Sequence, residues 1–322
     1  MSLRFISKGL ALLLVALSSS HAQTATYPSK PIHILVPFAA GSGADIYSRF
    51  FGKKLSEILN TPVIVENKLG GGGAVAIQAM KNEPADGYTI FMGSNSPAAA
   101  NVATIKNLPY DPLKDLRPIS GITRSMAVFM VGNTSPLKNM ADLLKRGQQQ
   151  PPLNIGYYTH GYQLAGAQLT VKAGLITQPV MYKGLSQTMT DVMGGQVDMG
   201  VVDSTGSVNT AVAGKVRALL VTGTSRHPDL PDVPTLVESG YPEAIHYSWT
   251  AFFVNPKTPD KIVEVLASAM QKALAQPESI AFIKQTSAEP MPLNPEQMRN
   301  FQEAEIKRFV KAAQSINFQA ED

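Results

Sequence analysis

The chain has 322 residues, 44% of them hydrophobic and 16% charged, enough apolar material for two domains of ordinary size and too much for a disordered chain. Lys and Arg number 28 against 24 Asp and Glu, a formal charge of +4, and no basic run stands out, so no nucleic-acid partner is expected. The absence of cysteine excludes disulfides, thiol catalysis, iron–sulfur clusters and a lipid-bearing cysteine.

Residues 1–22 open with Arg4 and Lys8, continue through an apolar stretch at 9–17 and close on small residues before Ala22. This order predicts a secretory signal, too short to span a bilayer, and its removal halves the charge excess. No later stretch reaches 18 uncharged apolar residues, so the exported product is expected to be soluble in the periplasm.

The stretch 32–45, IHILVPFAAGSGAD, reads as a buried strand running into a small-residue turn that opens a helix. Its exposed amides and the positive end of the helix dipole suit a carboxylate or phosphate, while a tight strand-to-helix turn is the plainer alternative. Neither a Walker loop nor a dinucleotide fingerprint is present. Asp45 caps amides, orients the loop through its carboxylate, or meets a ligand's amine or hydroxyl.

A helix follows at 44–59 with Ile46, Phe50, Leu55 and Ile58 at helical spacing, then a strand at 62–66. Gly70 to Gly73 open a second helix through Met80, for helix–sheet closeness and a tight turn rather than ligand contact. A third strand at 88–92 ends in another small-residue turn. This alternation predicts a doubly wound sheet whose ligand lies beyond the strands' carboxyl ends, where the turns at 38–45, 69–73 and 93–97 converge, the first and third ranking above the second.

The proline-rich segment 108–120 looks like a crossing into a second unit, which begins with the apolar run 126–131. Helices at 140–149, 161–174 and 186–193 alternate there with strands at 153–157, 179–182, 197–202 and 216–221. The turn at 158–162 sits at the same strand-end, helix-start position as the opening motif and implies a second half-site. An irregular stretch from Arg226 leads to a strand at 246–254, the return crossing, which contains Trp249. Helices at 259–275 and 295–316, each with proline in its first turn, complete the first domain. The expected division is 27–125 with 248–322 as domain 1 and 126–247 as domain 2.

The motifs YPSKPIHILVPFAAGSGAD, PVIVENKLGGGGA, PADGYTIFMGS, LPYDPLKDLRPI, YKG at 182–184, GGQVD at 194–198 and RHPDLPDVPTLVESGYP followed by Trp249 occur in an order that resembles the Bug family. These are the extracytoplasmic solute-binding subunits of tripartite tricarboxylate transporters. The resemblance implies an α/β clamshell of two doubly wound, mainly parallel domains, closing over a di- or tricarboxylate, an aromatic acid or an amino acid. It implies the membrane subunits of such a transporter as partner, a monomer, no cofactor or metal, and binding without catalysis. It places the main ligand loop at Phe38, Ala39, Ala40, Gly41, Ser42, Gly43 and Asp45, and the partner loop at Tyr158, Thr159, His160, Gly161 and Tyr162. Ser94, Tyr182, Lys183, Gly184 and Asp203 line up with cleft positions.

The partner loop YYTHGYQL is shorter than the family's Ser-rich loop and carries three tyrosines, Met181 stands where proline is frequent, and Ser42 where a second glycine is common. Tyrosines there suit an aromatic, alicyclic or hydroxylated carboxylate, or else they pack beneath the loop. His160 donates to a ligand carboxylate or is an ordinary loop histidine. Lys183 is a counter-ion or pairs with a neighbouring acid. Asp203 accepts from loop amides, selects a ligand amine, or caps a helix near Ser204 and Thr205. Trp249 fits hinge core better than a ligand wall. The competing reading, an exported hydrolase, lacks support: Gly184-Leu185-Ser186-Gln187-Thr188 misses the second glycine of a nucleophile elbow, and His33, His160, His227 and His246 have no metal spacing. A sensor subunit binding the same ligand is a further alternative.

Overall fold

The computed structural model describes residues 27–321, so the expected leader at 1–22 lies outside the described residues. β1 (Ile32–Val36) leads through a turn into α1 (Gly43–Leu59), followed by β2 (Val63–Asn67), α2 (Ala74–Asn82) and β3 (Thr89–Ser94). β1 lies parallel between β2 and β3, and all but one of its five residues are buried, as expected of a strand covered on both faces. In α1 the fully buried stripe is Tyr47, Phe51 and Leu55. Ile46, Phe50 and Ile58 of the expected face lie only partly buried beside it, because the sheet meets the helix about one residue further round.

After β3 a π-helical turn (Ser96–Ala100) precedes the short α3 (Asn101–Thr104) and α4 (Pro112–Asp115). The chain then enters β4 (Arg117–Gly132), a strand of 16 residues. The expected crossing at 108–120 and apolar run at 126–131 are thus partly one element. Pro118 is accommodated because the register shifts between Pro118 and Ser120 and again between Gly121 and Thr123, bulges that spare the ladder the amide proline lacks.

Next come α5 (Met140–Gly147), β5 (Leu153–Tyr157), α6 (His160–Lys172), β6 (Thr177–Met181), α7 (Leu185–Met193), β7 (Met199–Asp203), α8 (Ser207–Val212) and β8 (Val216–Val221). β9 (Tyr247–Val254), α9 (Asp260–Leu274), α10 (Pro277–Gln285), β10 (Glu289–Pro290) and α11 (Pro295–Ser315) close the chain. α8, α10 and β10 were not expected from the sequence.

The strands run in the order β2-β1-β3-β9-β4-β7-β5-β6, with β8 and β10 also paired to β4. Residues 117–126 of β4 pair antiparallel with β9, and residues 127–132 pair with β7 and β8. One apolar core gathers residues from 126 to 244; two others are built from the β1–β3 region and the C-terminal helices. β4 and β9 are the places where the two halves of the molecule meet, and the strand-end turns of both halves look toward each other above them.

Candidate functional site

The turn after β1 is held in shape by Asp45. Its carboxylate accepts from the Gly41 amide at 3.0 Å, from Asn67 Nδ2 at 2.9 Å, and from Arg49 Nε and Nη2 at 3.1 and 2.9 Å. The same Asn67 nitrogen donates to the Phe38 carbonyl at 2.9 Å. Burial pushes the Asp45 carboxyl up, but these donors outweigh it and hold it below its ordinary range. Of the three roles open in the sequence, Asp45 takes that of loop organiser; it does not border the cavity. Ser42 caps α1 by accepting from the Asp45 amide at 3.3 Å, which leaves the amides of Gly43 and Ala44 without a carbonyl of their own helix to bond.

Those two residues border a cavity between the halves, together with Phe38, Ser42 and Tyr47. Ser94 and Asn95 face it from the end of β3, Tyr158, Thr159 and Tyr162 from the start of α6, and Asp203 and Thr205 from the end of β7. Its floor is Thr123, Ser125, Ser248 and Thr250, register partners as Thr123↔Thr250 and Ser125↔Ser248. About 20 Å3 of it is open to the centre of a water-sized sphere, the scale of one or two waters. Thr159 caps α6, accepting from the Tyr162 amide at 3.3 Å, so two helix N-termini of opposite halves, those of α1 and α6, open on one small space.

Every lining side chain is neutral except one. Asp203 is 3% exposed; Tyr158 Oη donates to its Oδ2, while Oδ1 has no partner. Burial pushes the Asp203 carboxyl up to about 6, against the pull of Tyr158 and Thr205. Burial and the neighbouring Asp203 charge together raise the hydroxyls of Tyr158 and Tyr162 well above the usual phenol range. Ser94 Oγ is likewise buried without a partner.

Outside this cavity lies a groove of about 390 Å3 bordered by Gly70, Gly72, Gly73, His160, Met181, Tyr182 and Lys183, and it shares Phe38, Tyr158 and Thr159 with the cavity. The glycine turn, ranked below the other two converging turns, borders this groove and not the inner cavity. Its packing role is real too: Gly73 has φ +106°, and a Cβ there would stand 2.8 Å from Pro97. His160 is largely buried in this groove, and that burial lowers its pKa. Lys183 is exposed and sits at the rim, where water rather than a buried counter-ion meets its ammonium. Tyr182 points its hydroxyl at Asp191, 2.8 Å away.

Ala39, Ala40, Gly41, Gly161 and Gly184 border neither space. They serve the approach of the halves: a Cβ on Gly184 would lie 3.0 Å from that of Ala39, and the Gly161 amide donates to Ser96 Oγ at 3.0 Å. Tyr157 packs beneath α6, where a Cβ on Gly166 would meet its hydroxyl at 2.5 Å, whereas Tyr158 and Tyr162 reach the cavity. Trp249 borders the cavity and donates from Nε1 to Glu305 at 2.9 Å, so it serves as core and wall at once. Asn95 falls in the turn at 93–97 expected near the ligand, whereas Tyr47, Thr205 and the four floor residues were missed. Their one signal is hydroxyl residues interrupting otherwise apolar strands, as Ser248 and Thr250 do in YSWTAFFV.

Residues 48–318 match the family model described as the tripartite tricarboxylate transporter family receptor, TctC. The chain belongs to this family. The receptor superposes on the structure of the periplasmic binding protein BugD with a TM-score of 0.86 and 27% identity, covering 92% of this chain and 100% of that one. An R. palustris protein solved with adipate gives 0.86 and 28%, covering 90% and 98%, and MatC from Rhodopseudomonas palustris, solved with malate, gives 0.83 and 26%, covering 89% and 99%. It is a binding receptor and not an enzyme. Among the described residues no helix is long and apolar enough to cross a membrane, and no three His, Asp or Glu residues are placed to hold a metal ion.

Proposed function

We propose that this receptor captures a small carboxylate in the periplasm between its two halves, residues 27–125 with 248–322 and residues 126–247, and presents the closed form to the membrane subunits of a tripartite tricarboxylate transporter. The observation that carries the reading is the convergence of the α1 and α6 N-termini on one buried space. Free amides and aligned dipoles there stabilise an anion without a buried cationic side chain. Adipate and malate in the structural relatives support the same ligand class.

As it stands the cavity has room for one or two waters, so admitting a ligand requires the halves to part about β4 and β9, and contacts from both halves then favour a state closed around it. Tyr158 and Tyr162 are the aromatic walls. The protein acts as a monomer.

The test is thermal melting of residues 23–322 with aliphatic, hydroxylated and aromatic carboxylates beside their neutral amides. A carboxylate at about 100 times its Kd adds roughly 2.7 kcal/mol and moves Tm by a few degrees. The amides should leave Tm in place. Equal shifts from acids and amides, or none from any acid, would overturn the reading.

A further inference from the structure

The cavity contains a carboxylate that the protein answers on one side only. Asp203 Oδ1 is buried, borders the space and makes no hydrogen bond, while the other carboxylate oxygen takes the Tyr158 hydroxyl. The residues that face this carboxyl are Tyr158 and Tyr162 from the start of α6, Tyr47 from α1 and Thr205 from the segment after β7; no Lys, Arg or His borders the cavity. A buried carboxylate oxygen left unpaired carries a desolvation penalty that a fold retains only where something relieves it. Tyr47 shares its hydroxyl with Thr205 at 3.2 Å and Thr286 at 2.7 Å.

The geometry also says where the missing donor belongs. Oδ1 lies 3.4 Å from the point where a Cβ on Gly43 would stand, and Gly43 is the first residue of α1, one of the two whose amides are free. The α1 amides and the open oxygen of Asp203 are therefore neighbours, within reach of adjoining groups of one small molecule. Resting on the carboxylate reading above, we propose that Asp203, positioned by Tyr158, is an ammonium acceptor, and that the receptor selects carboxylates bearing an amino group on the adjacent carbon over their deamino counterparts. Ser94 Oγ, buried and also unpartnered at the same cavity, is free to meet a second polar group of such a ligand. Its carboxylic acid pushed up to about 6 by burial is ionised at neutral pH, the form an ammonium requires.

The experiment is isothermal titration of the mature chain with matched pairs: L-aspartate and succinate, L-glutamate and glutarate, L-phenylalanine and 3-phenylpropionate. The amino member of at least one pair should bind tenfold or more tighter than its deamino partner. Asp203→Asn should abolish that ratio, and Tyr158→Phe should reduce it. Deamino acids that bind as well as or better than their amino partners in every pair that binds overturn the assignment while leaving the carboxylate reading intact. No binding by any member overturns both. The wild-type ratio stands whether or not the variants fold, and circular dichroism melting separates a lost ligand group from a lost fold.

Discussion

The ring of Phe38 meets that of Tyr158 edge to face, with centroids 6.3 Å apart and planes at 87°. Phe38 comes from the turn after β1 and Tyr158 from the turn before α6, so the contact joins the two halves, and both rings border the inner cavity and the outer groove. Such pairs contribute about 0.5–1.5 kcal/mol beyond the area they bury. Phe38→Ala removes the contact and joins the two spaces. Its expected effect is on escape: stopped-flow kinetics should give a dissociation rate raised about tenfold with the association rate little changed.

Asp203 links ligand selection to stability. Its folded pKa is raised above the unfolded value, so the protonated form is favoured on folding. The stability contributed is present at low pH and is lost as pH rises from about 4 through 6. Two units correspond to roughly 3 kcal/mol. Asp203→Asn should therefore melt higher than wild type at pH 7.5 and about equally at pH 3.5, read by calorimetry in the absence of ligand. The hydroxyls facing Asp203, those of Tyr47, Tyr158 and Tyr162, titrate far above this window and do not blur it.

Asp45 should matter to binding without touching ligand. Asp45→Ala leaves the Gly41 amide without its acceptor and Asn67 Nδ2 with the Phe38 carbonyl alone, and the turn loses the shape that aims the α1 amides at the cavity. An affinity loss of tenfold or more is expected by titration calorimetry. Lys183→Ala at the exposed rim should change affinity less than threefold in the same assay.

Gly161 offers a way to hold the halves apart. A Cβ there would stand 2.6 Å from Asn95 Nδ2 and 2.7 Å from Ser96 Oγ. Neither is free to yield, since Asn95 accepts from Ser248 at 3.0 Å and Ser96 is buried. Because the clash falls between halves, Gly161→Ala should keep its unliganded melting temperature within a few degrees. Small-angle scattering should show that ligand no longer contracts its radius of gyration.

The single tryptophan supplies a built-in signal. Trp249 borders the cavity and donates to Glu305, which Arg308 grips through Nε and Nη2. Ligand binding should shift or quench its emission in a saturable way, and Glu305→Gln should move the starting spectrum by weakening the indole hydrogen bond.

The opening turn was legible in the sequence because its signals are local: a β-branched run, a proline, then residues too small to cover their own amides. The role of Asp45 was not, since it depends on Asn67, 22 positions on, arriving from a neighbouring strand. Lys183 drew attention as a charge near a recognised motif, but only the packing of α7 decides that it faces water. Thr123 and Ser125 were hidden for a different reason. Which way a strand residue faces depends on its register, and the bulges around Pro118 and Gly121 break the alternation from which a face would be read.

β4 serves both sheets with one uninterrupted stretch of backbone. A slip of one residue would turn Thr123 and Ser125 away from the ligand and, along the same strand, exchange the two buried faces of residues 127–131, so that both lose their packing partners. An error in one half is thus felt in the other. A chain whose binding floor is misassembled would also have a mispacked, more readily unfolded core, so degradation in the cell envelope would tend to remove the molecules unable to bind and leave the competent ones.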